Sequence, residues 1–172
     1  MQREVLSEET AFIMTSLLQG VVDDPNGTGA RVRSYFHYPA AGKTGTTNDF
    51  ADAWFVGYTP HLAAGVWVGF DNLSVHFTNW DGQGGRAAAP IWGRFMQYVY
   101  EDPDIAMPLE YFQKPASVYG DTICVATKKL ATQFCPETTT EYFTEKTRPP
   151  VCDKHTTSVW KEGEEGLGKV SY

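Results

Sequence analysis

Between Asp52 and Phe70 two apolar runs are separated by little more than Thr59-Pro60-His61, and this pairing constrains the fold more than any other feature of the chain. In the first run Ala53, Phe55 and Gly57 alternate with Trp54, Val56 and Tyr58, the period of a strand whose successive side chains point to opposite sides. The second run, Leu62 to Phe70, is almost continuously apolar, so it is expected to be a strand covered on both faces. A short connection with Pro in a loop position makes the pair an antiparallel hairpin. Ala41 to Thr47 is expected to join the same sheet as a further strand, and Trp54 and Trp67 are expected in its core.

Helical periodicity flanks these strands. Ser7 is a good N-cap, Glu8 and Glu9 sit where the helix dipole favours negative charge, and Leu6 stands before the cap as a hydrophobic staple. Ile13, Met14, Leu17, Leu18 and Val21 then recur at spacings of three and four, predicting one apolar stripe. Asp23 to Gly27 breaks that helix, and Thr28 to Val32 is expected to begin a short second one. Asp71 to Gly85 is polar and glycine-rich, hence a loop. Pro90 suits a first helical turn, and Ile91, Trp92, Phe95, Met96 and Val99 predict another one-sided helix. The expected fold class is α+β: an antiparallel β-sheet flanked by helices over residues 1–102. Residues 103–172, rich in Pro, Thr, Lys and Glu, are expected to form an irregular cysteine-containing appendage with two or three short strands and a frayed end from Trp160 onward.

With 172 residues the chain can bury a sizeable core. A formal charge of −7 and the lack of a Lys/Arg run argue against a nucleic-acid partner, which requires a basic face to displace counterions. Small molecules or peptides fit better. Met1-Gln2-Arg3-Glu4 does not resemble a signal peptide, and no apolar run approaches the roughly 18 residues of a membrane span. Taken literally this describes a cytoplasmic protein, although a piece of a larger secreted or anchored protein would look the same.

Cys124, Cys135 and Cys152 all fall in the last third, compatible with one disulfide and a free thiol or with no disulfide. With His155 they form C-x10-C-x16-C-x2-H, a donor set suited to zinc but lacking the short Cys-x2-4-Cys knuckle that usually organises such a site. A structural or disulfide role is therefore expected, and no metal or cofactor. His37, His61 and His76 have no partner spacing for metal or triad chemistry and are read as surface or capping residues. Trp80 is read as a surface residue, with a position over a cleft as its functional alternative.

Gly42-Lys43-Thr44 could close a nucleotide-binding P-loop, but the first Gly of that motif would stand at position 37, which is His37. Arg31 to Tyr38 is not a buried strand, and a strand-like run rather than a helix follows the motif. Lys43-Thr44-Gly45 can instead be the box that lines one pocket wall in active-site serine acyl-transferases. There the Lys supplies positive charge beside the nucleophile, the hydroxyls hold a substrate carboxylate, and Gly lets the ligand lie against the backbone.

The context makes the tripeptide specific. Ala41 to Thr47, followed by Asp52-Ala53-Trp54-Phe55-Val56-Gly57-Tyr58-Thr59-Pro60 and Val66-Trp67-Val68-Gly69-Phe70-Asp71, closely resembles the class A (bifunctional) penicillin-binding proteins. Ala87 to Trp92 is similar to the helix that follows in that family, and Ile123-Cys124 through Cys135-Pro136 to Cys152-Asp153 looks like its tail. The resemblance implies the last part of a D,D-transpeptidase domain, which cross-links peptidoglycan stem peptides ending in D-Ala-D-Ala through a serine acyl-enzyme and is acylated by β-lactams. It implies a place on the outer face of the bacterial inner membrane. Carried over by position, Lys43 is the box lysine, and Thr44 and Thr46 hold the carboxylate. Gly45 lets the ligand approach, the Thr46 N–H is one oxyanion donor, and Thr47 borders the pocket.

Two of the family's motifs do not occur before the box: the Ser-x-x-Lys of the nucleophile and the Ser-x-Asn of its partner. Ser158-Val159-Trp160-Lys161 matches the first but follows the box in a polar tail, where nothing would bury the Lys to make it a base. The chain alone is therefore expected to be inactive, and a sheet face left uncovered to drive self-association or pairing with the rest of the domain. The competing readings are a non-catalytic module that binds cell-wall peptides and a serine β-lactamase relative.

Overall fold

The computed structural model describes residues 5–72 and 74–156. The chain divides into two compact units, Met1–Pro115 and Ala116–Tyr172, each of which is described by itself.

In the first unit, helix α1 (Glu8–Asp23) starts at Ser7, whose side chain accepts the Thr10 N–H at 3.3 Å, with Glu8 and Glu9 in the first turn. Its buried positions are Thr15 and Val22, while Met14 and Leu17 of the expected stripe are exposed. The inward face is rotated by about one residue from the apolar repeat, because the Thr15 hydroxyl makes a 2.9 Å bond to the Tyr58 hydroxyl and anchors that side to the sheet. The chain turns back at Gly27, where an added Cβ would lie 2.4 Å from the Val21 carbonyl oxygen, so only glycine fits. A short 3-10 turn, Ala30–Ser34, follows.

Three antiparallel strands, β1 (Ala41–Thr46), β2 (Asp52–Tyr58) and β3 (Ala63–Gly69), lie in the order β1-β2-β3. Lys43 pairs with Val56 and Trp54 with Trp67. The β2–β3 turn is organised by Thr59 Oγ1, which accepts from the N–H groups of His61 (3.2 Å) and Leu62 (3.1 Å). Ala53, Phe55 and Gly57 face the core together with the half-buried Ala64, Val66 and Val68 of β3.

Two sequence expectations fail here. Strand β3 is not covered on both faces, and Trp54 and Trp67 are not core residues: they are 44% and 43% exposed. They lie on the side opposite Phe55, with ring centroids 6.4 Å apart, beside the exposed Val56. The strand period leaves no choice, since placing Ala53, Phe55 and Gly57 inward turns Trp54 and Val56 outward.

The core tryptophan is Trp92 instead, fully buried in α3 (Ala89–Glu101). Its Nε1 donates to the Ala64 carbonyl at 3.0 Å, and its ring meets Phe55 edge-on at 5.3 Å and Phe36 at 5.8 Å. Met96 lies one turn further along the same face, whereas Ile91 and Phe95, expected inward, are exposed. Val22 of α1 joins Trp92 and Met96 in one buried cluster against Phe55. No helix among the described residues is long and apolar enough to cross a membrane.

The second unit holds the antiparallel hairpin β4 (Val118–Cys124) and β5 (Thr138–Thr144). Leu130 bridges to Ile123 on one side and Val151 on the other. Arg148 closes the hairpin's outer side with bonds of 2.8 and 3.3 Å to the Asp121 carboxylate.

Candidate active-site strand

Strand β1 is the edge of its sheet, and its register decides which backbone groups are available. The Thr47 N–H donates to the Asp52 carbonyl at 3.0 Å, which marks residues 47 and 52 as a hydrogen-bonded pair. Antiparallel pairs alternate, so Gly45 and Lys43 turn their N–H and C=O groups toward β2, while Thr44 and Thr46 turn theirs to the open edge.

The side chains alternate in the same register. Lys43 shares a face with its cross-strand partner Val56 and with Trp54, whereas Thr44 and Thr46 share the face of Phe55 and Ala53. Lys43 Nζ curls back to the edge, donating to the Thr44 carbonyl at 2.9 Å, with Thr44 Oγ1 at 3.4 Å. A compact cation thus sits on the open edge formed by the Thr44 and Thr46 backbone groups.

The two box threonines differ in what their hydroxyls have left to give. Thr44 Oγ1 donates to Thr28 Oγ1 at 2.8 Å, which commits its hydrogen. Thr46 Oγ1 instead accepts the Gly84 N–H at 3.0 Å, so its own hydrogen is available for an acceptor. Thr47 Oγ1 accepts the Asp52 N–H at 2.8 Å and holds the turn after β1.

Gly84 opens α2 (Gly84–Ala87), a single turn packed behind β1. A Cβ on Gly84 would lie 2.4 Å from the Gly45 carbonyl oxygen, and one on Gly85 2.1 Å from that of Thr28. The sequence predicts a loop up to Gly85, and only the Gly84-Gly85 pair signals a close backbone approach behind β1.

Beyond β1 the chain passes through Asp49 and Phe50, both at positive φ (58° and 55°). The Phe50 ring lies 5.9 Å from that of Trp80, which is exposed at this end of the strand. Thr47, Asp49, Asp52, Ser74 and His76 line an open depression there. His61 pairs with Glu110 at 3.3 Å. Ser158 and Lys161 lie outside the described residues.

In the second unit Cys124, Cys135, Cys152 and His155 come together although no short Cys-x2-4-Cys knuckle organises them. No disulfide joins the three cysteines. Thr127 Oγ1 donates to Cys152 Sγ at 3.3 Å and draws that thiol down to about 6, while burial pushes Cys135 up.

Known proteins share the sequence that builds this sheet and the unit that follows it. Residues 1–97 match the family model described as the penicillin-binding protein transpeptidase domain, and residues 114–157 match that of the penicillin-binding protein 1A C-terminal domain. Penicillin-binding protein 1A of Clostridium tetani is 38% identical over 161 residues, covering 89% of this chain and 19% of that protein. Its namesake in Pseudomonas aeruginosa is 36% identical over 146 residues, covering 85% of this chain and 17% of that protein. The crystal structure of penicillin-binding protein 1A from Haemophilus influenzae superposes with a TM-score of 0.70 at 27% identity, over 84% of this chain and 21% of that one.

The chain belongs to the class A penicillin-binding proteins, within their transpeptidase and C-terminal domains. It spans about a fifth of the length of the relatives it matches.

Proposed function

We propose that β1 is the substrate-binding wall of a serine-type D,D-transpeptidase that cross-links peptidoglycan stem peptides, and that the nucleophile comes from sequence outside this chain. The observation that carries the reading is the open edge of Thr44 and Thr46 beside the Lys43 ammonium. An extended peptide ending in D-Ala-D-Ala can pair with such an edge as an added strand.

Within that reading Lys43 holds the substrate anion and supports proton transfer at the serine. The Thr46 N–H serves as one oxyanion donor, since it points from the edge, and the Thr46 hydroxyl hydrogen serves the carboxylate. Thr44 assists only after releasing Thr28. Gly45 keeps the approach clear, and Thr47 fixes the strand's exit. β-Lactams, which present a carboxylate and a strained acyl group, would occupy the same edge. The proposed setting is the cell envelope, on the outer face of the inner membrane.

Because one wall lacks the nucleophile and part of the oxyanion hole, the chain by itself should form no acyl-enzyme. The test is incubation with a labelled β-lactam, for this chain alone and for it joined to the upstream sequence of its reading frame. The expected result is a stoichiometric adduct only in the joined protein, lost on Lys43→Ala. A stable adduct on this chain alone overturns the assignment. Titration with a D-Ala-D-Ala peptide separates the binding-module reading: saturable amide shifts at Thr44 to Thr47 without the upstream part would favour it.

A further inference from the structure

The second unit has little apolar core. Among its described residues the buried hydrophobic ones are Val118, Ile123, Cys124 and Cys152. A small unit with so few buried side chains needs another source of stability, commonly disulfides or a metal.

Three separate backbone devices bring its cysteines and one histidine to a single point. Cys124 ends β4, and a tight turn returns the Lys128 N–H to the Cys124 carbonyl at 2.8 Å. The Thr132 to Cys135 turn is closed by the Cys135 N–H on the Thr132 carbonyl at 3.1 Å. Cys152 is pinned through its N–H to the Leu130 carbonyl at 2.8 Å, and His155 follows three residues later.

The four donor atoms lie within 4.8 Å of one another. His155 Nδ1 is 3.3 Å from Cys124 Sγ and 3.5 Å from Cys152 Sγ. A tetrahedral zinc site, with Zn–S of about 2.3 Å and Zn–N of about 2.0–2.1 Å, requires donor separations of about 3.5–3.8 Å, which these distances bracket.

The neighbouring donors suit thiolates as well. Thr127 Oγ1 donates to Cys152 Sγ at 3.3 Å, and the Thr132 N–H donates to Cys135 Sγ at 3.3 Å. The Thr132 hydroxyl meanwhile holds the His155 carbonyl, fixing the last ligand's backbone. A disulfide would join two of the thiols and leave the third thiol and the imidazole with no bond to make. A single metal ion uses all four.

We propose that Cys124, Cys135, Cys152 and the Nδ1 of His155 bind one structural Zn²⁺ that forms the core of the C-terminal unit. Binding displaces any thiol protons to solvent and leaves a Zn(Cys)3(His) centre of net charge −1. With four protein ligands no position is left for water, so the centre is structural. The proposal is independent of the activity assigned to β1.

The test uses the full chain, prepared without chelator and without added reductant, with metal content measured by mass spectrometry alongside a disulfide map of the same material. The expected result is one zinc per chain, three thiols that react only after chelation, and no disulfide. Exchange for Co²⁺ should give the thiolate charge-transfer and d–d bands of a tetrahedral site. Cys135→Ser, at the least buried of the three cysteines, should lower the charge-transfer intensity by about a third, one thiolate of three having been removed. The Co²⁺ spectrum of the unaltered chain decides the matter even if variants fail to fold. A disulfide between any two of these cysteines, or a chain that binds neither metal with that spectrum, overturns the proposal.

Discussion

The backbone N–H of Gly84 donates to Thr46 Oγ1 across 3.0 Å, tying a turn far along the chain to the last residue of the box strand. That bond orients the Thr46 hydroxyl by filling one of its lone pairs, so the direction in which the hydroxyl can donate is set before any ligand arrives.

Gly84→Ala is predicted to break this support. The new Cβ would lie 2.3 Å from the Trp54 carbonyl oxygen and 2.4 Å from that of Gly45, both backbone atoms that cannot swing aside. Helix α2 must then move off β1, at a cost of about 1–3 kcal/mol by analogy with other overpacked sites. The urea midpoint should fall, and the Thr46 amide resonance should move more than amides of β3. An unchanged midpoint would show that the contact is not needed.

Tyr100→Phe removes the 2.7 Å bond from its hydroxyl to Thr59 Oγ1, in a part-buried site where α3 meets the β2–β3 turn. The expected loss is about 0.5–1.5 kcal/mol. Thr59→Ala should cost more, because Thr59 Oγ1 also accepts from the His61 and Leu62 N–H groups. The double variant should be less destabilised than the sum, since both changes delete the same bond. Strict additivity in denaturant titrations would contradict this coupling.

Trp54, Val56 and Trp67 form an exposed apolar strip across the sheet. The chain is predicted to associate with itself as its concentration rises, and Trp54→Glu with Trp67→Glu should suppress that association. Sedimentation velocity distinguishes the cases, and a clean monomer of the unaltered chain at high concentration would count against it.

These residues also show what the sequence could convey. The strands were legible because their period and the Thr59-Pro60-His61 turn are local signals, and the box was legible because its neighbours in sequence are its neighbours on the strand. Which face of β2 points inward is not local. It depends on where Trp92 is placed, and apolar content alone favoured Trp54 and Trp67. The inward faces of α1 and α3 were legible in part: Trp92 and Met96 lie inward as their spacing predicts, but a Thr15 to Tyr58 bond and the fit of Trp92 beside Gly57 leave Met14, Leu17, Ile91 and Phe95 exposed. The four residues of the cysteine cluster were legible as a donor set, but their meeting was not, because they arrive from three turns joined through Leu130, a pairing that spacing does not encode.

The open edge of β1 also carries a liability. Unpaired amides that can receive a peptide can also receive the edge strand of another molecule and so template cross-chain sheet growth. Lys43, with its ammonium folded onto the Thr44 carbonyl at 2.9 Å, occupies one of those acceptors and places a charge where a second strand would dock. Lys43 is therefore also a gatekeeper against sheet growth, and Lys43→Ala should be watched for insoluble, β-rich aggregates.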